Sequence, residues 1–503
     1  MPVNETTNLA GRRGLYYPSA EIHPNSPAGF FDYGPDGHKI KQRMIGHWRR
    51  MLVENEGNLE IDGSITLPES VFKASGHLEN FNDPLIICEK CHTPYRVDKL
   101  IEEKIGHEIP EGAPTEFFDA KITELKLVCP KDKEPFKGKT TQFNMMMKVD
   151  IGAVKGVHAY LRPEACQSIF LSFPRLWKTG RMRLPIGIAQ TGKAFRNEIA
   201  PRQGLLRTRE FDQMDVEVFF NPAKMNDVER WDEVKDYALN LYLLKDKQVH
   251  PIPCEKAVEE KIVSGRIAAY YLARTQQFFS SLNIPLEKMR FRELEKEARA
   301  FYAAETWDFE VQVDTAWIEL AACNNRTDHD LKTHGNESKQ DLSIKEEGTP
   351  EKFIPHVFEI SAGVDRTFYA MLDANYRTEK RGAEERTYLD LPSAIAPYDV
   401  SVFPLMKKDG LSEHAHELAA HLREQNLNVF YDEAGSIGKR YARMDELGVP
   451  YAITVDYQSL KDRSITLRER TTMKQKRVEV DDLDEIFWKF STGQRKFEEL
   501  EDG

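Results

Sequence analysis

The stretch TGKAFRNEIAPRQGLLRTREFDQMDVEVFF, residues 191–220, reads as two strands of a hairpin. Successive side chains of a strand point to opposite sides, so alternate residues share a face. One face of the second strand carries Arg209, Phe211, Gln213, Asp215 and Glu217. The opposite face carries Met214, Val216, Val218 and Phe220, beyond Glu210 and Asp212. The apolar face can pack on a core, whereas the other face is unusually charged.

The charged face allows two interpretations. A solvated edge hairpin is the ordinary one for strands of this composition. A ligand-binding surface is the other, because an arginine, an aromatic ring and an acid in a row suit a ligand's anion, ring and cation. Arg196 and Glu198, two residues apart on the preceding strand, are expected to share a face.

Two further segments carry charge next to ordered structure. EISAGVDRTFYAML, residues 359–372, reads as a strand followed by a helix with Arg366 in its first turn. A helix N-terminus attracts phosphate, and an arginine there adds a bidentate donor. LRPEACQSIF, residues 161–170, is expected to place Arg162 and Glu164 on one strand face, where a structural ion pair is the ordinary interpretation.

Length and composition narrow the class of protein. A chain of 503 residues is too long for one hydrophobic core, so about two or three domains are expected. The net charge of −12 argues against broad DNA binding but leaves room for a local basic face. No apolar run approaches the roughly 18 residues of a membrane span, and six cysteines do not suggest a disulfide framework. The N-terminus lacks an apolar signal core, so we expect a cytoplasmic protein without membrane or DNA partners.

Periodicity divides the chain into segments. Residues 38–54 are predicted to be helical, and LEIDGSITLP (59–68), VQVDTAWIELAAC (311–323) and IPHVFEISAG (354–363) are each predicted to be a strand. Residues 86–140 are expected to form an inserted, cysteine-bearing subdomain, and residues 222–309 a mostly helical insertion. The polar run 377–397 reads as a linker. Beyond it, strands alternate with helices, which predicts a parallel or mixed sheet.

Several of these strings together resemble a known family. FRNE (195–198) followed by LRTREFDQMDVEVFF (206–220) resembles motif 2 of the class II aminoacyl-tRNA synthetases, SAGVDRTFYAML resembles motif 3, and GSITLP with its preceding helix resembles motif 1. The match narrows to the homodimeric glycyl-tRNA synthetase family through FDYGPDGHKIK, ASGHLENFNDP, YRVDKLIEE, LRPEACQSIF, RTREFDQMD, NRTDHDLKTH and EISAGVDRT. The resemblance runs from about residue 14 into the C-terminal domain.

The resemblance implies a fold and an assembly. It implies an α+β protein: an antiparallel-sheet catalytic domain with inserted subdomains, residues 1–390, followed by an α/β anticodon-binding domain, residues 391–503. It also implies a homodimer with motif 1 at its interface, near Trp48, Met51 and Pro68. The implied partners are glycine, ATP and tRNA(Gly).

The implied reaction is two-step attachment of glycine to tRNA through glycyl-adenylate. Catalysis of this kind depends on positioning and charge stabilisation, so arginines and Mg²⁺ are expected instead of a general-base triad. Arg196 is expected at the α-phosphate, Arg366 near the γ-phosphate, Phe211 on adenine and Glu319 at the metal. The full set implied for ATP is Arg196, Asn197, Glu198, Leu206, Arg207, Thr208, Arg209, Glu210, Phe211, Glu319, Leu320, Gly363, Val364, Asp365 and Arg366.

Glycine has no side chain, so its ammonium and carboxylate groups must carry recognition. A buried ammonium group requires nearby carboxylates, and the resemblance points to Glu164, Asp215 and Glu359. The full set implied for glycine is Arg96, Glu164, Phe211, Asp212, Gln213, Met214, Asp215, Arg326, Glu359, Ile360, Ser361, Ala362 and Gly363. Larger amino acids are expected to be rejected by clash.

Two departures from the family pattern concern this pocket. The family usually has glutamate where this chain has Asp215, so the ammonium contact is expected to be longer. It usually reads ELxGIAxRTD where this chain reads ELAACNNRTD, residues 319–328. Ala322, Cys323 and Asn324 are therefore expected to change the shape of the pocket near Arg326.

The cysteines suggest a metal site outside this pocket. Cys88 and Cys91 form C-x-x-C, and Cys129 repeats the spacing with Asp132 in the last place. Thiolates at this spacing suit tetrahedral Zn²⁺, with Asp132 or His92 as the fourth ligand. A metal-free ribbon and redox chemistry are the alternatives. Cys166, Cys254 and Cys323 are expected to be ordinary buried thiols.

The C-terminal domain contains a basic stretch between residues 439 and 477. Its basic residues are Lys439, Arg440, Arg443, Lys461, Arg463, Arg468, Arg470, Lys474, Lys476 and Arg477. A solvated mixed-charge surface is the ordinary interpretation, and the resemblance favours an anticodon-stem contact.

Two other functions compete with this interpretation. A prolyl- or threonyl-tRNA synthetase would share the C-terminal domain, but the acidic cluster at Glu164, Asp215 and Glu359 argues against it. A non-catalytic, synthetase-like nucleic-acid-binding subunit would have lost the motif arginines, and Arg196 and Arg366 are both present.

Overall fold

The computed structural model describes residues 4–107, 109, 112–153, 156, 158–201, 203–295, 299, 302–348, 351–381 and 384–501. The helices in these ranges are α1 Glu5–Arg12, α2 Pro35–Arg49, α3 Glu69–Ala74, α4 His77–Asn80, α5 Val97–Ile105, α6 Thr115–Glu124, α7 Gln167–Gly180, α8 Cys254–Glu259, α9 Arg266–Ser281, α10 His329–Ser338, α11 Val364–Asn375, α12 Leu411–Glu424, α13 Ile437–Glu446, α14 Ser459–Asp462 and α15 Leu483–Ser491. The strands are β1 Tyr16–Pro18, β2 Phe31–Tyr33, β3 Leu59–Glu60, β4 Thr66–Pro68, β5 Asn82–Ile87, β6 Pro94–Arg96, β7 Thr141–Asn144, β8 Met147–Asp150, β9 His158–Leu161, β10 Ile186–Phe195, β11 Glu210–Phe220, β12 Ala238–Leu243, β13 Gln248–Pro253, β14 Met289–Glu293, β15 Glu305–Val313, β16 Ala316–Thr327, β17 His356–Gly363, β18 Tyr376–Arg381, β19 Glu384–Leu389, β20 Val400–Pro404, β21 Val429–Tyr431, β22 Tyr451–Val455, β23 Ser464–Glu469 and β24 Gln475–Glu479. No helix among the described residues is long and apolar enough to cross a bilayer.

The first domain is built on a nine-stranded sheet in the order β13-β12-β14-β15-β16-β17-β11-β10-β3. The hairpin predicted from residues 191–220 is confirmed: β10 and β11 pair antiparallel from Ile186↔Phe219 to Phe195↔Glu210. β11 then pairs with β17, and β17 with β16, again antiparallel. The motif 2 hairpin (β10 and β11), the strand that leads into motif 3 (β17) and the strand that contains ELAACNNRT (β16) are thereby adjacent in the centre of one sheet.

The apolar face of β11 packs into the main core. Met214, Val216 and Val218 belong to a buried cluster that also takes in residues of α2, α9 and α11. The helix predicted over 38–54 is confirmed as α2 followed by a π-helical turn, Arg50–Glu54. Its start packs closely on the N-terminal segment, since a Cβ on Gly37 would lie 1.8 Å from the Leu15 carbonyl oxygen. The second glycine of FDYGPDG is therefore explained by packing, because a side chain at position 37 would clash with the backbone of Leu15.

The cysteine-bearing segment has a small core of its own. Strands β6-β5-β7 form a three-stranded sheet, and α5 and α6 pack on it. Ile86, Val97, Ile101, Phe118 and Ile122 are buried between them. An inserted subdomain requires such a core, and the limits 86–140 stay a prediction.

The mostly helical reading of residues 222–309 is wrong. The segment contains β12, β13 and β14, which extend the central sheet, alongside helices α8 and α9. ALNLYL, residues 238–243, alternates half-buried and buried positions, and this period of two favours a strand when a sheet edge is available to pair with. The end of the predicted helix, at 296–298 and 300–301, lies outside the described residues.

Three shorter predictions are also corrected. Residues 59–68 form two strands in different sheets, β3 beside β10 and β4 beside β9. Residues 311–323 turn at Asp314, which has a positive φ of 51°, so they are divided between β15 and β16. Much of the expected linker 377–397 is the hairpin β18–β19, in which Tyr376–Arg381 pairs antiparallel with Glu384–Leu389.

The C-terminal domain confirms the predicted alternation of strands and helices. Its sheet has the order β21-β20-β22-β23-β24, with β20 parallel to both β21 and β22. A separate buried cluster, including Val400, Val402, Leu418 and Ile453, lies between this sheet and its helices. The antiparallel strands β23 and β24 at one edge were not predicted.

Candidate active site

A cavity of about 160 Å³ opens on the polar face of the central sheet. Its lining residues are Glu164, Arg196, Glu198, Leu205, Leu206, Arg207, Thr208, Phe211, Asp212, Gln213, Tyr302, Glu319, Leu320, Ala322, Asn324, Glu359, Ser361, Gly363, Asp365 and Arg366. Most of them were predicted for ATP or glycine. A larger groove of about 720 Å³ lies between α3, α7 and α10, and its walls include none of the predicted residues. We take the smaller cavity as the site, because the titratable groups converge there.

Strand register places the acids of the cavity. Glu359 on β17 lies opposite Glu217 on β11 and opposite Asn324 on β16. One step along, Ser361 lies opposite Asp215 and Ala322. Residues far apart in sequence therefore form two rows across three strands, on the face that the alternation of β11 marked as polar.

Arg196 follows the end of β10 and reaches over the cavity. Its guanidinium carbon lies 5.4 Å from the ring centre of Phe211 and 5.3 Å from that of Phe81. The Arg196 Nε donates to the Pro163 carbonyl oxygen at 3.2 Å, and its backbone N–H donates to Arg209 at 2.9 Å. Two aromatic contacts and a backbone acceptor hold the guanidinium in place before any ligand arrives.

Arg366 ties the motif 2 loop to β16. Its Nε donates to the Leu206 carbonyl oxygen at 3.0 Å, and its Nη1 donates to the Glu319 carbonyl oxygen at 2.9 Å. The Glu319 carboxylate lies 3.4 Å from the same Nη1 and is 46% exposed. Arg366 and Glu319 thus stand together at the open edge of the cavity, beside the N-terminus of α11.

The acids on the motif 2 side are already paired. Glu198 accepts from Arg207 at 2.7 Å. Asp365 accepts from the Tyr33 hydroxyl at 2.6 Å and from the Asp212 backbone N–H at 2.8 Å. Lys41 and Lys193 both pair with Asp212. These contacts hold Asp212 and Asp365 in the wall of the cavity, where the two acids orient Lys41, Lys193 and Tyr33.

The acidic end of the cavity contains two buried carboxylates with different partners. The Glu164 Oε1 accepts from Gln167 at 2.8 Å and from Cys166 at 3.0 Å, and lies 3.3 Å from the His77 Nε2. Burial alone would raise the pKa of Glu164, but His77 and Arg326 lower that pKa well below its ordinary value. Glu164 therefore carries a negative charge at neutral pH.

Glu359 is the second carboxylate. It accepts from Arg326 at 3.0 Å and from the Asn324 amide at 2.7 Å. Burial raises the pKa of Glu359, while the guanidinium of Arg326 opposes the shift. Arg326 is itself shared with Asp330 at 2.7 Å, so its positive charge does not cancel this cluster of acids.

Behind these carboxylates lie two acids that are fully buried. Asp215 accepts from the Ser361 hydroxyl at 2.7 Å, and burial raises its pKa to about 8. Burial also raises the pKa of Glu217 well above its ordinary value, and both Glu217 oxygens are unpartnered among the described residues. Asp215 was predicted to contact the ammonium group, but it lies outside the cavity wall, with Ser361 between.

Several other predicted residues have different surroundings from those expected. Arg96 pairs with Asp83 of β5 at 3.0 Å and with Asp98 of α5. Burial lowers the pKa of Arg96, but these two acids and Glu198 of the cavity wall raise it above its ordinary value. Met214, Ile360 and Ala362 belong to the main apolar core, because the strand alternation turns their side chains to the opposite face of the sheet, and Val364 reaches the same core from the first turn of α11. These four can contribute only backbone atoms.

The remaining predicted residues lie beside the cavity. Arg209 donates to the carbonyl oxygens of Glu198 and Ala28, and Glu210 pairs with Lys193. The backbone N–H of Asn197 donates to Met145. These residues support the hairpin and its loop.

The expected strand face with Arg162 and Glu164 is wrong. β9 ends at Leu161, so both residues lie in the turn that leads into α7. Arg162 donates to the carbonyl oxygens of Lys193 at 2.7 Å and Gly63 at 3.2 Å. A proline between the two residues removes the backbone donor that a continued strand would need.

Four wall residues were not predicted: Leu205, Tyr302, Ala322 and Asn324. The Arg326 guanidinium carbon lies 3.8 Å from the ring centre of Tyr302, which closes the acidic end. Two of the departures from the family pattern, Ala322 and Asn324, are wall residues, and Asn324 binds Glu359 directly. The departure itself was the signal that could have found them. Cys323 faces the core, as expected for a buried thiol.

The four predicted zinc ligands converge in the cysteine-bearing segment. One donor atom each from Cys88, Cys91, Cys129 and Asp132 lies within 4.8 Å of the others. Both turns have the same conformation, since His92 and Lys133 have positive φ and their backbone N–H groups donate to the carbonyl oxygens of Cys88 and Cys129, respectively. A hydrogen bond from the Glu134 backbone lowers the pKa of Asp132 to about 2. Three sulfur atoms and a carboxylate so arranged fit tetrahedral Zn²⁺.

Part of the basic stretch at 439–477 is structural. Arg440, Arg468 and Arg470 are buried, and Arg468 pairs with Asp445 at 2.9 Å. Arg477 pairs with Asp456 at 2.6 Å. Lys439, Lys461 and Lys474 are exposed. The surface open to a partner is therefore smaller than the sequence predicted.

The two domains match known families separately. Residues 148–375 match the family described as "tRNA synthetase class II core domain (G, H, P, S and T)". Residues 399–489 match the family described as "Anticodon binding domain". The antiparallel sheet, the arginines of motifs 2 and 3 and these two matches define a class II tRNA synthetase.

Relatives along the whole chain are more specific. The chain is 36% identical to the glycine--tRNA ligase of Methanothrix thermoacetophila, with 98% of each chain covered. It is 36% identical to that of Pyrococcus furiosus, covering 95% of this chain and 96% of the relative. It is 35% identical to that of Methanocaldococcus jannaschii, covering 95% of this chain and 96% of the relative. The chain belongs to the glycine--tRNA ligase family.

Proposed function

We propose that the protein activates glycine with ATP and transfers the glycyl group to the 3′ end of tRNA(Gly). A carboxylate oxygen of glycine attacks the α-phosphorus, and the bond between that phosphorus and the bridging oxygen to the β-phosphate breaks, releasing pyrophosphate. The terminal ribose hydroxyl of tRNA then attacks the glycyl carbonyl, and AMP leaves. The observation that carries the proposal is the charged carboxylate Glu164 buried at one end of a cavity whose other walls hold Arg196 and Arg366.

Each end of the cavity has a chemical task. Glu164 and Glu359 offer negative charge to the glycine ammonium group, which water would otherwise solvate. Arg196, held between Phe81 and Phe211, faces the place where negative charge develops at the α-phosphate. Arg366 at the open edge suits the terminal phosphates, and the ring of Phe211 suits adenine.

One residue at the edge of the cavity is suited to bind Mg²⁺. Glu319 has a half-exposed carboxylate at the cavity edge, beside Arg366. Mg²⁺ prefers carboxylate and phosphate oxygens, and when bound it would offset the charge of the phosphates. We propose Glu319 as its protein ligand.

The activity test is ATP–pyrophosphate exchange with each of the twenty amino acids in turn. Glycine alone is expected to support exchange: every amino acid offers an ammonium group to the acidic end, but a larger one would also have to fit its side chain into a cavity of about 160 Å³ lined by Tyr302 and Ser361. Exchange with proline or threonine and none with glycine would contradict the proposal.

A homodimer is the assembly we propose. Leu59 and Ile65, between α2 and Pro68, are more than a third exposed, which suits a segment covered by a second chain. Light scattering is expected to give about 116 kDa, twice the chain mass of 58.0 kDa, at working concentration. A mass of 58.0 kDa under those conditions would show a monomer.

A structural zinc ion is proposed at Cys88, Cys91, Cys129 and Asp132. Purified protein is expected to contain about one zinc per chain, and Cys91→Ala should lose the metal and lower the melting temperature. Cys254→Ala, a buried cysteine outside the cluster, is the matched control and should keep the metal. Metal analysis that finds no zinc after purification without chelator favours the metal-free ribbon.

The contact with tRNA is proposed for the C-terminal domain. Lys439, Lys461 and Lys474 are its exposed lysines in the basic stretch, and the buried arginines there stabilise the domain itself. Replacing the three lysines by alanine is expected to weaken tRNA binding and to leave pyrophosphate exchange unchanged.

A further inference from the structure

The carboxylate of Glu164 is held by a chain of buried groups that leads away from the cavity. Gln167, on the first turn of α7, donates its amide N–H to the Glu164 Oε1 at 2.8 Å. The amide oxygen of the same glutamine lies 2.9 Å from the Nε2 of His334 on α10. Glu164, Gln167 and His334 are all buried. The histidine comes from a segment 167 positions further along the chain than Gln167.

The chemistry of an amide fixes the direction of these bonds. The oxygen of Gln167 can only accept, so the Nε2 of His334 must carry the proton that is donated to it. If the amide turned over, its oxygen would face the negative Glu164 and its N–H₂ group would face the histidine N–H. With the proton of His334 on Nε2, both contacts would then be unfavourable. The N–H of His334 therefore holds Gln167 in the orientation that Glu164 needs.

His334 is well placed for a purely supporting role. It does not line the catalytic cavity, and it forms part of the wall of the 720 Å³ groove behind α7. Burial lowers the pKa of His334, which keeps the ring neutral with a single N–H. The ring can thus donate one hydrogen bond without adding a positive charge that would compete with a ligand's ammonium group.

We infer that His334 is a positioning residue for glycine: through Gln167 it fixes the carboxylate of Glu164 that binds the ammonium group. The inference rests on the proposed function, because it gives Glu164 its ligand. Loss of the histidine frees the Gln167 amide to rotate, and Glu164 then loses a donor and its fixed orientation. The site for the ammonium group is disturbed, while Arg196, Phe211 and Arg366 keep their contacts.

The test is a double-mutant cycle on the full-length protein, read by pyrophosphate exchange against glycine and against ATP. Gln167→Leu is expected to raise the KM for glycine about tenfold, the usual effect of losing a hydrogen bond to a charged group, with the KM for ATP nearly unchanged. His334→Ala is expected to raise it by a similar factor, because it releases the amide that makes that bond. The double variant should be no worse than Gln167→Leu alone, because both changes interrupt one chain. His334→Gln, which offers an N–H at a similar reach, should restore much of the glycine affinity.

Glu337→Gln is the matched control, since Glu337 lies on the same helix and lines the same groove but pairs with Lys73. It should leave both KM values unchanged. Effects of His334→Ala and Gln167→Leu that simply add, or a rise in the KM for ATP equal to that for glycine, would overturn the inference and indicate a structural role. If the unmodified protein shows no exchange with glycine, the proposed function fails instead, so the two failures are distinguishable.

Discussion

Replacing Arg196 by alanine is expected to lower kcat for adenylate formation about 100- to 1,000-fold, with little change in the KM for glycine. The guanidinium is fixed in the free protein by Phe81, Phe211 and the Pro163 carbonyl oxygen. A donor placed in advance stabilises charge that appears only during attack on the α-phosphate, so its loss affects the transition state more than the bound ground state. A loss of about 3–4 kcal/mol corresponds to this range.

The measurement is pyrophosphate exchange titrated against glycine and against ATP, with circular dichroism to confirm folding. Arg175→Ala is the matched control, because Arg175 is exposed in the groove behind α7 and lies outside the catalytic cavity. It should exchange at the rate of the unmodified protein. A folded Arg196→Ala variant whose kcat stays within about tenfold of normal would remove Arg196 from this role.

The centre of the fold was predictable because its signals are local. The period-two alternation of 206–220 gave the strand and separated its polar face from its apolar face, and the structure places Met214, Val216 and Val218 in the core accordingly. The helix after EISAG was predictable for the same reason. The family resemblance then predicted which of these elements lie together. The matches to the synthetase core family and the anticodon-binding family confirm the class of protein.

What the sequence could not supply was the depth of each side chain. Asp215 and Glu217 share a strand face with Phe211 and Gln213, yet register with β17 buries both acids completely. Burial is decided by neighbours across the sheet, and no local pattern in β11 reveals them. The same limit explains Arg440, Arg468 and Arg470, which look like an RNA-binding face in sequence and are buried in the domain.

Long-range pairing explains the rest of the acidic end. Asn324 could not be matched to the family pattern, and only the register of β16 with β17 puts it against Glu359. His77 reaches Glu164 from α4, at the edge of the cysteine-bearing segment. Such contacts join elements that sequence periodicity treats separately. The helical prediction for residues 222–309 was wrong for a similar reason, since the short strands there are stable only as additions to an existing sheet edge.

Replacing Glu164 by glutamine is expected to raise the KM for glycine about 30-fold or more, with the KM for ATP nearly unchanged. The charge of the ammonium group is the same before and during the reaction, so its partner contributes to ground-state and transition-state binding alike. Loss of one partner of a buried charge pair costs about 2 kcal/mol or more, which sets the size of the effect. kcat should fall only as far as the glycine carboxylate is misplaced.

Glu198→Gln is the matched control, and its expected result is the reverse. Glu198 is also a buried glutamate of the cavity wall, but it pairs with Arg207 on the motif 2 side, where ATP is proposed to bind. That variant should raise the KM for ATP and leave the KM for glycine nearly unchanged. The two substitutions are chemically identical, so opposite shifts can arise only from the place of each carboxylate in the cavity. If Glu164→Gln shifts the KM for ATP and spares that for glycine, the acidic end does not hold the amino acid, and the assignment of the two ends must be exchanged.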